Sequence, residues 1–375
     1  MAVRGVYTKE EKKMLAKFEE TAEAMSGWRK PLLIPVATEE SIRSFASAAD
    51  YWNPLWRDAN YAKNTRWGGI IAVPMYQDAI AQITWHPEVP PGVGRLGGQW
   101  LGEDWEIFKP IHVNDSFRVW CRRPKLVDIT SLDGKGLRTF QFLAHDVDVL
   151  NQRDEIVNKF KLYLDVIIVP ERPEAPKPVP DYRYTKAELA FIDRVFQEEE
   201  IRGAKVRWWE DVSVGEELRP VIMGPTTLWD QIVYTAGRQE IELAPMMEMR
   251  KRGKFLTLDP VTGVTHHGIE WHHSDHVAQL QGMPNAVHYG VVSRQLVTRC
   301  VTNWMGDDGF IRMFHWRHLG TFKIGDTVIG RGKVMKKRVE NGEHLVDLSL
   351  WTENFRGYIS VPAVATISLL SKEAI

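Results

Sequence analysis

Hydrophobic and polar positions alternate along the chain with two periods, one typical of helices and one typical of strands. Residues 8–25 have apolar side chains at helical spacing, at Met14, Leu15, Phe18 and Met25. This pattern predicts an amphipathic N-terminal helix that packs against the first domain.

Two later segments predict helices that are more apolar than the first. Their apolar side chains are Met75, Ala79, Ile80 and Ile83 before Pro87, and Val292, Leu296, Cys300 and Trp304 before Gly306. The second helix is apolar around much of its circumference and should be buried. Each helix precedes alternating, β-branched runs such as "DSFRVWCR" and "HLVDLSLWTEN", which predict antiparallel strands. One helix followed by several strands, twice, indicates an α+β fold in which a sheet wraps round a central helix.

The two halves of the chain look like divergent copies of one unit. "YAKNTRWGGIIAVPM" corresponds to "HVAQLQGMPNAVHYGVV", and twelve residues separate Ala62 from Pro74 and Ala278 from Gly290. Between the halves, five prolines prevent regular structure, at Pro170, Pro173, Pro176, Pro178 and Pro180. We therefore predict an N-terminal domain over 1–170, a proline-rich linker and helix over 171–204, and a C-terminal domain over 205–375.

Composition excludes several classes of function. The 375 residues are 44% hydrophobic and 26% charged with a formal net charge of −1, which gives no electrostatic preference for nucleic acid or an anionic membrane. The N-terminal residues lack the apolar stretch of a signal peptide, and no run of 18 apolar residues predicts a membrane span. The two cysteines, Cys121 and Cys300, lie far apart. These features predict a cytoplasmic protein.

Four segments, "NPLWRDANYAKNTRWGGIIAVP", "FKPIHVNDSFRV", "HVAQLQGMPNAVHYG" and "FKIGDTV", resemble the MaoC-like, R-specific enoyl-CoA hydratase/dehydratase family. The chain is similar in particular to double hot-dog members with a degenerate N-terminal dehydratase-like domain. The resemblance implies an α+β double hot-dog fold, in which two antiparallel sheets each wrap round a central helix. It also implies a catalytic Asp and, five positions later, a His. Together they add water to a trans-2-enoyl thioester and give an (R)-3-hydroxyacyl thioester.

The first half departs from this catalytic signature. The segment Asn53-Pro54-Leu55 is present, but Trp56 stands at the histidine position. Tyr51 stands at the carboxylate position, with Asp50 one residue too early. An indole donates hydrogen bonds but cannot accept a proton, so this copy should be inactive. We assign Trp56 to substrate binding, in a groove that holds the acyl tail.

The second half contains six of the twelve histidines within "HHGIEWHHSDHVAQLQGMPNAVHYG". Counting back from Ala278 places His272 at the catalytic position, whereas matching a His-x-Asp pattern places His273 there. Neither register has an Asp five residues earlier. Glu270 is the nearest upstream carboxylate and Asp275 is its rival. The chemistry needs an imidazole beside a carboxylate that orients it, so these four residues are the catalytic candidates.

The start of the second predicted helix is a candidate oxyanion site, because helix N-termini carry unpaired N–H donors and partial positive charge. We assign Tyr289, Gly290 and Val291, with the adjacent His288, to substrate binding. An alternative explanation of Gly290 is close packing between the helix and the sheet.

Two other interpretations of the histidine cluster remain open. Imidazoles and an Asp in "HHSDH" are ligands that Zn²⁺ accepts, but only His272 and His276 have helical spacing and no third ligand is evident. We therefore expect no metal. Alternatively, the histidines are solvated loop residues of a non-catalytic acyl-binding protein.

The second half also carries about 28 residues that the first lacks, and loops of this length are usually functional or disordered. Met246, Met247 and Met249 are candidates for lining an acyl pocket. The basic side chains Arg250, Lys251, Arg252 and Lys254 either contact the phosphates of coenzyme A or form a solvated face.

The sequence therefore predicts a hydratase/dehydratase, a carbon–oxygen lyase that interconverts a trans-2-enoyl-CoA and a 3-hydroxyacyl-CoA. Alternatives are a non-catalytic acyl-CoA-binding partner subunit and a hot-dog thioesterase. We expect no cofactor beyond coenzyme A as part of the substrate. A homo-oligomer, or pairing with a second hot-dog subunit, is expected, without a nucleic-acid or membrane partner.

Overall fold

The computed structural model describes residues 2–29, 32–81, 95–168, 174–238, 247, 250–251, 253 and 256–374. Its helices are α1 (Lys9–Ala22), α2 (Glu39–Ala49), α3 (Ala59–Lys63), α4 (Gln77–Ala81), α5 (Lys186–Glu198), α6 (Leu228–Gly237), α7 (Asp275–Leu280) and α8 (Gly290–Met305). The strands of the N-terminal half are β1 (Gly27–Trp28), β2 (Arg95–Ile107), β3 (Arg118–Cys121), β4 (Lys125–Asp128), β5 (Arg138–Leu150) and β6 (Ile156–Ile168). Those of the C-terminal half are β7 (Val221–Met223), β8 (Leu256–Leu258), β9 (Thr265–His267), β10 (Phe310–Arg317), β11 (Val328–Glu340), β12 (Glu343–Glu353) and β13 (Ile359–Leu369).

Eleven of these strands form one sheet in the order β1-β3-β5-β6-β2-β10-β13-β12-β11-β7, with β4 paired to β5. The half-sheets meet where β2 pairs antiparallel with β10, and Trp105 stands opposite Phe314. The sequence predicted two sheets. The structure joins them edge to edge, which satisfies the backbone groups that the two edge strands would otherwise expose.

Helix α8 is the central helix of the C-terminal half, as its apolar pattern predicted. Every residue from Val291 to Met305 is buried, and the helix lies against β7, β11, β12 and β13. The C-cap of this helix is Gly306, where φ is 72°, a conformation that glycine adopts without strain. This helix therefore carries its N-terminus, with Gly290, to one end of the C-terminal core.

A buried ion pair links the two halves beside this helix. Arg294 of α8 donates to the carboxylate of Glu103 on β2 at 2.6 Å, and both side chains are fully buried. The same carboxylate accepts from the indoles of Trp105 and Trp316, each at 2.8 Å. The charge of Arg294 is thus compensated by a partner from the other half of the chain.

The N-terminal helix is confirmed, although it ends at Ala22 and Met25 falls in the 3₁₀ turn that follows. Phe18 packs edge-on against Phe142 of β5, with ring centroids 5.7 Å apart. The helix predicted from Met75 begins at Gln77, and its expected continuation through Ile83 to Pro87 lies outside the described residues.

The linker region has no helix or strand from 174 to 184, and Pro170 and Pro173 lie outside the described residues. Helix α5 follows it and packs through Ile192 and Val195 against Ile222 and Ile329 of the C-terminal half.

Corresponding helices of the two halves meet, because α2 packs on α6. Gly237 allows this close approach, since a Cβ there would lie 2.5 Å from the Cβ of Ala48. The rings of Phe45 and Tyr234 lie 6.2 Å apart across the contact. No helix among the described residues is long and apolar enough to cross a bilayer.

Candidate active site

The histidine-rich segment and its first-half counterpart have the same local structure. In the first half, Asn53 caps a 3₁₀ turn that ends at Trp56. In the second half, His267 caps a 3₁₀ turn that ends at His272. Each turn ends two residues before an N-cap, Asp58 of α3 or Ser274 of α7. This correspondence favours His272 over His273 as the equivalent of Trp56.

His272 is 8% exposed, and its Nδ1 atom lies 2.8 Å from the carbonyl oxygen of Val287. Because a carbonyl only accepts, Nδ1 carries the hydrogen and Nε2 carries the lone pair in the neutral ring. The ring lies against Tyr289, with centroids 4.1 Å apart. Gln231 fixes both residues, since its amide donates to the His272 carbonyl at 2.7 Å and accepts from the Tyr289 N–H at 2.8 Å. His272 is thus oriented as an acceptor by backbone and amide groups.

His273 contacts the same tyrosine from the other side. Its Nε2 atom lies 3.2 Å from the hydroxyl oxygen of Tyr289. Burial lowers the pKa of His273, although the negative charge of Glu270 opposes that shift. Two imidazoles and one hydroxyl therefore meet next to the start of α8.

The N-terminus of α8 presents its first amides at this place. Tyr289 is the N-cap, and the Val292 N–H bonds to the Tyr289 carbonyl. Within the part of the chain that the structure describes, the N–H groups of Gly290 and Val291 have no acceptor. They are suited to hold an oxyanion at the positive end of the helix dipole.

His318, which the sequence analysis did not single out, lies against Gly290. A Cβ on Gly290 would be 3.0 Å from its Nε2 atom. The Nδ1 atom of His318 donates to the carbonyl of Trp100 at 3.0 Å, so Nε2 carries the lone pair. Burial lowers the pKa of His318. The sequence contains no motif around this residue, which follows β10 directly, so only the tertiary structure, which brings His318 to the start of α8, reveals it.

The two carboxylate candidates have other partners. The carboxylate of Glu270 lies 2.9 Å from Nδ1 of His266 and accepts from the His267 N–H at 2.7 Å. Burial raises the pKa of Glu270, but these hydrogen bonds outweigh it and the pKa is lowered. Asp275 accepts from the Ala286 N–H at 2.7 Å and from the Asn285 amide at 3.2 Å. Glu270 therefore orients His266, and Asp275 fastens the loop before α8, which differs from the pairing with His272 that the sequence favoured.

His288 is buried at 1% exposure, and only its backbone N–H makes a described hydrogen bond, to the carbonyl of Phe322. Neither ring nitrogen has a partner among the described residues. Burial lowers the pKa of His288 to about 4, although the charge of Asp230 opposes the shift. The ring is therefore enclosed and neutral at pH 7, and its assignment to substrate binding stays a prediction.

A carboxylate does stand beside Trp56 in the first half. The Trp56 indole donates to Asp50 at 3.0 Å, and the Thr302 hydroxyl of α8 donates to the same oxygen at 2.8 Å. Asp50 is the C-cap of α2, so the carboxylate beside Trp56 is Asp50 rather than a group at Tyr51. Burial raises the pKa of Asp50. The C-cap of the corresponding helix α6 is Arg238, which is buried.

Trp56 does not lie near His272. It lines a cleft with Ile71, Pro74, Met305 and Phe310. Thr302, which shares its Asp50 partner, lies twelve residues along α8 from Gly290, or about 18 Å at the rise of an α-helix. Trp56 thus lines a cleft apart from His272, and its assignment to a groove that holds the acyl tail stays a prediction.

The insertion is described only in part. Met246, Met249, Arg252 and Lys254 lie outside the described residues, while Met247, Arg250 and Lys251 are exposed. Arg250 donates to the carbonyl of Thr265 at 3.3 Å. The fold brings together Asp259, His266 and His276 as possible metal ligands. This set differs from the pair His272 and His276 that the sequence spacing offered.

The comparisons with known proteins agree with this architecture. Residues 25–160 match the family model described as FAS1-like, dehydratase domain region. A solved structure named MaoC-like dehydratase superposes with a TM-score of 0.61 at 15% identity, covering 92% of this chain and 98% of its own. A MaoC domain protein dehydratase from Chloroflexus aurantiacus gives a TM-score of 0.53 at 14% identity and 90% and 92% coverage. A conserved hypothetical protein from Mycobacterium tuberculosis, reported to have a double hot-dog fold, gives 0.50 at 11% identity and 93% and 97% coverage.

No curated protein sequence matches the chain. The structure and its neighbours define a double hot-dog fold, and the chain is similar in this fold to a MaoC-like dehydratase. More narrowly, residues 25–160 of its N-terminal half are similar to the FAS1-like dehydratase domain region. The predicted fold class and family resemblance are confirmed.

Proposed function

We propose that the protein is a hydratase/dehydratase that interconverts a trans-2-enoyl thioester and a 3-hydroxyacyl thioester at the N-terminus of α8. The observation that carries this proposal is the Nδ1 hydrogen bond from His272 to the Val287 carbonyl. That bond leaves Nε2 as a proton acceptor beside Tyr289, the residue that caps the helix. A base and an oxyanion site are the two elements that conjugate hydration requires.

In this mechanism the thioester carbonyl oxygen accepts hydrogen bonds from the N–H groups of Gly290 and Val291. His272 Nε2 takes a proton from water as the water oxygen bonds to C3. The double-bond electrons move to C2, and negative charge develops on the thioester oxygen. Protonation at C2 by the imidazolium completes the addition of H₂O. Dehydration follows the same steps in reverse.

Tyr289 and His273 complete the site. The tyrosine hydroxyl, held 3.2 Å from His273 Nε2, orients the water or the product hydroxyl. The Val287 carbonyl fixes the tautomer of His272.

The acyl carrier is proposed to be coenzyme A, with Arg250 and Lys251 on the exposed insertion as candidates for its phosphates. A cytoplasmic location, and assembly as a homo-oligomer or with a second hot-dog subunit, belong to the same proposal.

A non-catalytic acyl-thioester-binding subunit is the second candidate. One observation favours it, namely that the C-cap position held by Asp50 in the first half is held by Arg238 in the half that contains His272. Thioesterase chemistry, the third interpretation, differs in releasing free thiol.

The test is to mix purified protein with trans-2-enoyl-CoA substrates of increasing chain length and follow the absorbance of the conjugated thioester. His272→Asn keeps a donor for the Val287 carbonyl and removes the base, so kcat should fall by roughly 10²–10⁴-fold. His344→Gln, on β12, is the matched control. Binding without absorbance change in the wild-type protein would support the binding subunit instead, and thiol release would support the thioesterase.

A further inference from the structure

Three metal-ligating side chains converge outside the site at His272. Asp259 follows β8, His266 lies on β9, and His276 lies in the first turn of α7. Each offers one ligand atom, and these atoms lie within 4.8 Å of one another. The closest pair, His276 Nε2 and an oxygen of Asp259, is 3.0 Å apart.

Asp259 is held in place before any ligand arrives. Its side chain is 2% exposed, and its carboxylate accepts from the Val261 N–H at 2.8 Å and the Thr262 hydroxyl at 2.5 Å. A carboxylate fixed in this way needs little reorganisation to bind a cation. His276 is 57% exposed at its side chain and is free to adjust by a rotamer change.

His266 is oriented by a second carboxylate. Glu270 lies 2.9 Å from Nδ1 of His266, which therefore carries the hydrogen, and Nε2 is left with its lone pair. A carboxylate that accepts the remote N–H of an imidazole is the usual support of a metal-binding histidine. This contact also gives Glu270 a role outside the proposed reaction.

We propose that Asp259, His266 and His276 bind one divalent cation of the zinc type, with Glu270 as the carboxylate that positions His266. Two imidazoles and one carboxylate match the three-ligand set of open zinc sites, in which water takes the fourth position. Metal–ligand bonds of about 2.1 Å place tetrahedral ligands roughly 3.4 Å apart, so the side chains need to approach by about an ångström.

The cation has a structural consequence. His266 and His276 enclose the segment that contains His272 and His273, so one metal ion closes this loop and fastens the β8–β9 hairpin to α7. Closing a loop reduces the conformational freedom of the residues inside it. The metal is therefore a clamp on the histidine segment rather than a reactant, and the inference does not depend on the proposed function.

The experiment uses the full chain after dialysis against a chelator. Titration with Zn²⁺ by calorimetry should give one site per chain, and Co²⁺ should give the visible absorption of a four-coordinate N/O site. Hydrogen exchange of residues 265–280 should slow when Zn²⁺ is bound. His266→Gln and His276→Gln should each lower the affinity more than 100-fold, and Glu270→Gln should lower it by roughly 10–100-fold.

His344→Gln is the matched control and should bind Zn²⁺ like the wild-type protein. Circular dichroism confirms that each variant is folded. His276→Gln changes an exposed side chain and should therefore disturb folding least. Absence of saturable binding at micromolar Zn²⁺, or equal affinity in the wild-type, His266→Gln and His276→Gln proteins, would overturn the proposal. Enoyl thioester turnover is not a readout of this test, so its outcome is independent of the proposed reaction.

Discussion

The indole of Trp56 donates a 3.0 Å hydrogen bond to the carboxylate of Asp50 in the first half of the chain. In the second half, His272 stands at the position of Trp56, and Arg238 stands at the end of the helix where Asp50 would be. Because a buried carboxylate needs a donor, the tryptophan serves Asp50 as a neutral substitute for an imidazole.

Replacing Trp56 tests whether its hydrogen bond to Asp50 stabilises the fold. Trp56→Phe removes the indole donor, leaves the buried Asp50 with the Thr302 hydroxyl, and should destabilise the fold by about 1–3 kcal/mol. Equilibrium unfolding in denaturant measures the change, with Trp67→Phe as a comparison at another indole hydrogen bond. A loss of kcat in Trp56→Phe without loss of stability would instead place Trp56 in the reacting site.

Tyr289→Phe tests the contact with His273. The variant keeps the ring that packs against His272 and loses the hydroxyl 3.2 Å from His273 Nε2. We expect kcat to fall by roughly 10–10²-fold with little change in KM, because the hydroxyl orients the reacting water rather than the acyl group. Steady-state kinetics across several enoyl-CoA concentrations separate the two parameters. A change confined to KM would contradict this role.

Gly290→Ala tests why glycine begins α8. The added methyl group would meet the His318 ring at 3.0 Å, so stability should fall by about 1–3 kcal/mol. In the double variant Gly290→Ala/His318→Ala the clash is gone. Its free energy of unfolding should therefore exceed the value expected if the losses measured for Gly290→Ala and His318→Ala simply added. Strict additivity of the two changes would show that the ring and the methyl group do not collide.

Acidification should destabilise the fold through His288. Its pKa is about 4 in the folded protein, below the ordinary value of 6.5, so the unfolded chain binds more protons between these values. Stability is therefore complete above about pH 6.5 and falls as the pH decreases towards 4, by on the order of 3 kcal/mol. In His288→Leu the slope over this window should be shallower, whereas His344→Gln serves as control. Unfolding curves at half-unit pH steps measure the slope, and an unchanged slope in His288→Leu would exclude His288 as its source.

Periodicity in the sequence was enough to predict the elements that form the core. The apolar positions Val292, Leu296 and Cys300 predicted a buried helix because burial repeats every turn, and α8 is buried along its length. The spacing from Ala278 back to His272 also predicted the correspondence with Trp56, because both segments form a 3₁₀ turn closed by a local cap. Local hydrogen bonds of this kind depend on neighbouring residues alone.

Contacts between distant segments were decided only by the tertiary structure. His318 reaches Gly290 because the fold brings the residue after β10 to the start of α8, and Thr302 reaches Asp50 because α2 packs against α8. The sequence placed Glu270 with His272 by their proximity in the chain, but the turn directs its carboxylate to His266. It likewise found no third metal ligand near His276, because Asp259 is brought there by the insertion folding back on itself. Spacing along a chain specifies which residues share a turn, whereas the meeting of side chains from separate elements depends on how those elements pack.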